Sequence, residues 1–190
     1  MSITITRPIA TYIEIKLDSK KMIVSKTDVS GKIIYGNEYF CQISGYKESE
    51  LISSPHSILR HPDMPRAIFK LMWDHLNSGK NIMAVVKNMA KNGNYYWVTT
   101  DFDIRRDSLG NIQYFVAFRQ AAPKHVVETM EKLYIKLLAI EKEHDIKAST
   151  AYLNAYLEEK NMNYHQFIEK LAKPKGLSAV FFEKMKKLFG

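Results

Sequence analysis

The run Ser53-Ser54-Pro55-His56-Ser57-Ile58-Leu59-Arg60-His61-Pro62-Asp63-Met64-Pro65 constrains this chain more than any other segment. Each proline lacks a backbone donor and biases the residue before it away from the helical region. Prolines at 55, 62 and 65 therefore exclude both a central strand and a helix interior here. The run is a rigid elbow, polar and cationic through Arg60, His56 and His61. It opens onto Phe69, Met72, Trp73 and Leu76, which recur at helical spacing. Asp63 is placed to cap that helix, Pro65 suits its first turn, and Asn77-Ser78-Gly79 stops it. Such an elbow can hold an anionic ligand against the apolar face of the helix.

On either side of the elbow the chain reads as strands. Residues 22–26 and 32–35 flank the turn-forming Thr27-Asp28-Val29-Ser30-Gly31 and predict a hairpin. Gly36-Asn37 punctuates, and Tyr39, Phe40 and Ile43 predict a short helix ending near Ser44-Gly45. Residues 82–89 and 95–104 predict two long strands joined through Asn92-Gly93, a strong hairpin signal. A third, residues 112–119, follows the turn cluster at 107–111. Hairpin-linked strands with their helices segregated predict an α+β fold. Beyond Pro123 the pattern is helical. Val126, Met130, Leu133, Tyr134 and Leu137 form one stripe, and Tyr152, Leu153, Tyr156 and Leu157 a second. Asn163 with Gln166 forms a capping-box start, and Val180, Phe181, Leu188 and Phe189 mark a last helix. Tyr12 and residues 13–17 alternate weakly, as a short strand or extended arm.

Bulk properties exclude several classes. The 190 residues hold no apolar run long enough for a membrane span, and the first eight lack the layout of a signal peptide. The single Cys41 excludes an internal disulfide and fits a reducing, cytoplasmic setting. The net charge of +8 divides as +5 over residues 1–119 and +3 over residues 120–190, with no basic stripe. It reads as a diffuse steering field and not a nucleic-acid footprint. No phosphate loop, CxxC, HExxH or nucleophile elbow occurs, so no catalytic residue, metal site or enzyme activity is expected.

Several residues have two readings from the sequence alone. Asp63 is a helix cap or a ligand contact. Trp73 in an apolar stripe is more often core than a cofactor wall. Asn88 is a strand irregularity or a hydrogen-bonding edge, and Arg60 and His61 are loop cations or anion ligands.

The elbow string resembles the flavin-binding PAS domain of the aerotaxis-receptor family, which carries nearly the same Pro-His-x-x-x-Arg-His-Pro-Asp-Met-Pro. Further strings extend the resemblance from about Met22 to Gln120: Ser25-Lys26-Thr27-Asp28 with Gly31-Lys32-Ile33, then Asn37-x-x-Phe40, Ser44-Gly45-Tyr46, Val86-Lys87-Asn88 and Lys91-Asn92-Gly93-x-x-Tyr96-Trp97-Val98. The resemblance implies a PAS fold, a five-stranded antiparallel sheet with helices on one face. It implies an arm over residues 1–20, a sensor domain over 21–121 and a helical docking or dimerisation segment over 122–190. It further implies FAD, with Arg60, His61, Asp63, Trp73, Asn88 and Asn37 lining or supporting the flavin pocket. The expected role is a soluble redox or energy sensor that signals to a separate membrane chemoreceptor, since neither a membrane anchor nor a signalling domain is evident in the chain. The alternative is a cofactor-free PAS interaction module whose pocket is filled by its own side chains. One departure supports weighing that alternative. Flavin-binding relatives usually carry a tryptophan early in the first long strand, where this chain reads Asn81-Ile82-Met83-Ala84-Val85.

Overall fold

The structure is a computed structural model that describes residues 8–172, 183, 184 and 186–188. Its body is one antiparallel sheet of five strands: β1 (Ile23–Asp28), β2 (Ile33–Gly36), β3 (Ile82–Met89), β4 (Tyr95–Arg106) and β5 (Ile112–Ala121). Their spatial order is β2-β1-β5-β4-β3, so the two hairpins meet at the β1–β5 pair. Between β2 and β3 lie helices α1 (Glu38–Ser44) and α2 (Glu48–Leu51), a 3-10 turn at His56–Leu59, and helix α3 (Arg66–Asn77). Helices α4 (Lys124–Glu143), α5 (Ile146–Glu158) and α6 (Tyr164–Ala172) follow the sheet. This is the α+β PAS fold expected from the sequence, with additional C-terminal helices.

Strand alternation sorts the side chains onto two faces. Phe115, Ala117 and Arg119 of β5 share one face with Ser25 and Thr27 of β1, against α3 and the elbow. Val116 and Phe118 lie on the other with Met22 and Val24, as a small separate apolar cluster. Lys186 reaches that second face, where it bonds Asp101 at 2.9 Å and Asp103 at 3.3 Å. The main core fills the space between the first face and the helices, through Phe40, Leu59, Ile68, Ile82 and Val98.

The C-terminal helices close the β3 edge. An edge strand presents unpaired backbone groups that invite foreign strands. Here the Met83 N–H donates to His165 Nδ1 of α6 at 3.0 Å, and the Tyr134 hydroxyl of α4 donates to the Val85 carbonyl at 2.6 Å. The Lys87 N–H meets Met64 Sδ of the elbow at 3.2 Å. The helical segment is thus built onto the sheet of its own chain.

Several local expectations are refined. Asp63 does not cap α3. Pro65 occupies the N-cap position without a side-chain bond, and the Arg66 and Ala67 N–H groups donate instead to the Glu141 carboxylate of α4, at 2.9 and 2.8 Å. The elbow turns the Asp63 side chain away to Lys87, so the free helix end takes its anion from a distant helix. The Asn163–Gln166 capping box is present, with reciprocal bonds of 2.9 Å. The arm is extended and not a strand: Thr11 and Ile15 donate to the carbonyls of Gly93 and Tyr95, and Tyr95 donates to Ile13. Val180, Phe181 and Phe189 of the expected last helix lie outside the described residues.

Candidate functional site

A cavity of about 400 Å³ lies between the inner sheet face, α3 and the elbow. This is within the range of small-molecule sites, roughly 300–1,000 Å³. Its apolar wall is Phe69, Met72, Trp73 and Leu76 of α3 with Phe102 and Phe115 of the sheet. These four α3 positions are the helical stripe of the sequence. Trp73 meets Phe115 edge-on, with ring centroids 5.9 Å apart. It also lies over the β1–β2 turn, where Gly31 has φ +83° and a Cβ would stand 2.9 Å from the indole. Only glycine meets both demands at no steric cost.

The polar lining comes from three places. Arg60 and Asn88 face each other across an isolated antiparallel bridge between the elbow and β3. The Arg60 guanidinium lies 4.7 Å from the Phe69 ring centre, and its Nη2 donates to the Met64 carbonyl at 3.2 Å. Asn88 is 3% exposed, and its Nδ2 is buried without a hydrogen bond of normal geometry. Burial also keeps the nearby Tyr96 phenol protonated, well above its ordinary range. From β5 comes Arg119, 3% exposed, whose guanidinium donates to the Ser25 hydroxyl at 2.9 Å and meets His56 Nε2 at 2.8 Å. Guanidinium has no acceptor, so His56 Nε2 accepts and the ring carries its proton on Nδ1. Removal from water, then the Arg119 charge, push His56 down to about 3. Burial lowers Arg119 to about 10, which leaves it charged at neutral pH. Among the described residues no Asp or Glu lines this cavity.

Of the six residues anticipated, the structure brings Arg60, Trp73 and Asn88 together on the cavity lining. The other three lie outside it. His61 points to the opposite side of the elbow from Arg60, as successive residues of an extended segment do. There it accepts from the Asp63 N–H on Nδ1 at 3.1 Å and meets Tyr95 edge-on. Asp63 pairs with Lys87 at 2.6 Å, and the ammonium sits 4.3 Å from the Tyr95 ring centre. Desolvation, then the Lys87 charge, hold His61 neutral, at about 4. Asn37 caps α1: its Oδ1 accepts from Phe40 and Val24 N–H, and its Nδ2 donates to the Met22 carbonyl. It ties β1 to α1 and supports the cavity only at a distance.

Arg119, His56, Ser25 and Phe102 also line the cavity and were not anticipated. A signal for Arg119 was present. In β5, positions 115, 117 and 119 share a face with two apolar residues and one arginine, a charge on an inward register. Neither Ile82 nor Met83 lines the cavity. Both are buried in the core, and the Met83 backbone is engaged by α6.

The lining suits a flat aromatic ligand that carries negative charge. It offers aromatic walls and two guanidinium groups, with no carboxylate among the described residues to repel an anion.

Comparison with known proteins agrees with this geometry. Residues 33–119 match the family model described as PAS fold. The chain is 35% identical over 134 residues to the aerotaxis receptor of Escherichia coli (strain K12), which covers 70% of this chain and 26% of that protein. It is 25% identical over 104 residues to the nitrogen fixation regulatory protein of Klebsiella pneumoniae, covering 55% of this chain and 21% of that one. The chain thus spans about a quarter of the length of these relatives. Among solved structures, the dark structure of the blue-light photoreceptor Aureochrome1 LOV superposes with a TM-score of 0.51 at 23% identity, over 63% of this chain and 86% of that one. No helix among the described residues is long and apolar enough to cross a membrane. The chain therefore carries a PAS fold, similar in sequence to the PAS domain of an aerotaxis receptor and extended by further C-terminal helices.

Proposed function

We propose that this protein is a redox or energy sensor that holds FAD in the PAS cavity and signals by protein contact to a separate chemoreceptor. The observation that carries the reading is the cavity itself, walled by Trp73, Phe115 and Phe102, with the cations Arg60 and Arg119 on its lining and no carboxylate among the described residues there. Similarity to an aerotaxis receptor supports the same ligand class. When bound, FAD supplies reversible electron uptake. Trp73 and Phe115 wall the ring by aromatic contact. Arg60 contributes charge from the elbow, and Asn88, bridged to it from β3, completes that part of the lining. His61, Asp63 and Asn37 act behind this lining, by clamping the elbow to β3 and β1 to α1. The protein acts as a sensory module and not as an enzyme, from the cytoplasm.

The output runs through β5. That strand carries Arg119 and Phe115 on the cavity face and ends at Ala121, three residues before α4 begins at Lys124. A ligand that interacts differently with β5 in two charge states biases the position of α4. Through Glu141, α4 also holds the N-terminus of α3, the other cavity wall. The exposed side of the C-terminal helices is then the surface for the receptor or for a second copy.

A visible absorption spectrum of freshly purified protein tests the reading. Flavin bands, with free flavin released on denaturation, support it. Protein that stays colourless after incubation with FAD overturns it in favour of the cofactor-free interaction module.

A further inference from the structure

We infer that Arg119 is the charge-recognition residue of the cavity, and that the ligand sets an anionic oxygen against its guanidinium. This rests on reading the cavity as a ligand site and names the chemistry that site selects.

Two features carry it. First, Arg119 is a buried charge without a counter-charge. Its hydrogen bonds go to the Ser25 hydroxyl, the Ala117 carbonyl and His56 Nε2, all neutral acceptors. Among the described residues no carboxylate pairs with it. A buried, unpaired guanidinium is costly, and proteins ordinarily pair such groups. Second, it borders a space large enough for a ligand, and its polar neighbours Ser25 and His56 line that same space. The missing counter-charge therefore has somewhere to come from. Arg60, also on the lining, is less buried than Arg119, so Arg119 is the more strongly desolvated of the two and gains more from an anion. His56 is part of the device: as a neutral acceptor it orients the Arg119 fork without neutralising it. Burial leaves Arg119 protonated at neutral pH.

With FAD that oxygen belongs to the diphosphate, because the oxidised ring is uncharged, and riboflavin, which has the ring without the diphosphate, is the control. FAD and riboflavin are titrated into flavin-free wild type, Arg119→Gln and Arg119→Lys, following flavin fluorescence, with the melting temperature of each protein recorded. The expected result is FAD binding weakened roughly tenfold or more in Arg119→Gln, and less in Arg119→Lys. An equal loss for riboflavin, which carries no anionic oxygen, overturns the inference. A loss confined to FAD assigns it to the diphosphate. Unchanged FAD affinity in a folded Arg119→Gln overturns the inference. Should that variant not fold, Arg119→Met, which also removes the charge, is titrated in its place: weakened FAD binding supports the inference and unchanged binding overturns it. If wild type binds no flavin, the functional proposal fails and this inference is judged separately with inorganic phosphate and succinate. A melting temperature raised by either anion in wild type but not in the variant supports it. No rise in wild type overturns it.

Discussion

Two cationic side chains on the sheet sit in opposite circumstances. Lys87 of β3, 7% exposed, is answered by the Asp63 carboxylate at 2.6 Å and by the Tyr95 ring. Arg119 of β5, 3% exposed, is answered by neutral acceptors and by the Phe102 ring 6.0 Å away, with no carboxylate among the described residues. The first arrangement is complete in itself and clamps the elbow to the sheet. The second is complete only when something else supplies negative charge. The difference teaches that burial of a cation does not by itself mark a ligand site. What marks it is burial beside open volume without a counter-charge. Each side has a neutral histidine with a different duty: His61 belongs to the clamp, and His56 to the cavity.

Acid should disturb both sides, with the largest effect. His61 and His56 sit at about 4 and about 3 in the folded protein, below the ordinary value near 6.5. The unfolded chain therefore binds more protons as pH falls below about 6.5, so the stabilisation present above that pH is lost progressively, to about pH 4 for His61 and about pH 3 for His56. Denaturant melts at pH 7 and pH 4 should differ by on the order of 3 kcal/mol, and His61→Gln should remove part of that slope. A flat profile would mean that neither ring is held neutral.

Asp63→Ala breaks the complete pair. It leaves Lys87 buried without its carboxylate and should cost about 2 kcal/mol in a urea melt at neutral pH. A loss within about 0.5 kcal/mol would show that the aromatic ring and water suffice for Lys87.

Glu141→Ala removes the anion from the N-terminus of α3 and should cost about 1 kcal/mol, as loss of a helix cap does. Because α3 carries four of the cavity wall residues, the same variant should show faster amide exchange at Arg66 and Ala67. Unchanged exchange there would detach the C-terminal helices from the cavity.

The smallest effect is expected where the comparison is sharpest. Arg119→Met in ligand-free protein should change stability by less than about 0.5 kcal/mol or raise it, because an uncompensated charge is replaced by an apolar chain of similar length. A loss as large as that of Asp63→Ala would place Arg119 with Lys87, as a structural cation.

Much of this was legible in the chain. The Asn92-Gly93 hairpin and the Phe69, Met72, Trp73 and Leu76 stripe were read from nearest-neighbour rules, because turn chemistry and helical period act over a few residues. Three cavity residues, Arg60, Trp73 and Asn88, were also in view. His61 and Asp63 looked equivalent to Arg60 because adjacency in sequence hides the alternation that turns them to the far side of the elbow. The cap of α3 could not be found locally, since its anion comes from Glu141, seventy-five positions after Arg66.

The sequence by itself determined where the chain must bend, which segments pair, and that a cationic elbow opens onto an aromatic helix face. Those are short-range consequences of proline, glycine and side-chain periodicity. Only the tertiary structure decided which cation has a partner and which faces the cavity. Whether a charge is balanced depends on carboxylates delivered from distant strands and helices, and on the volume left between them.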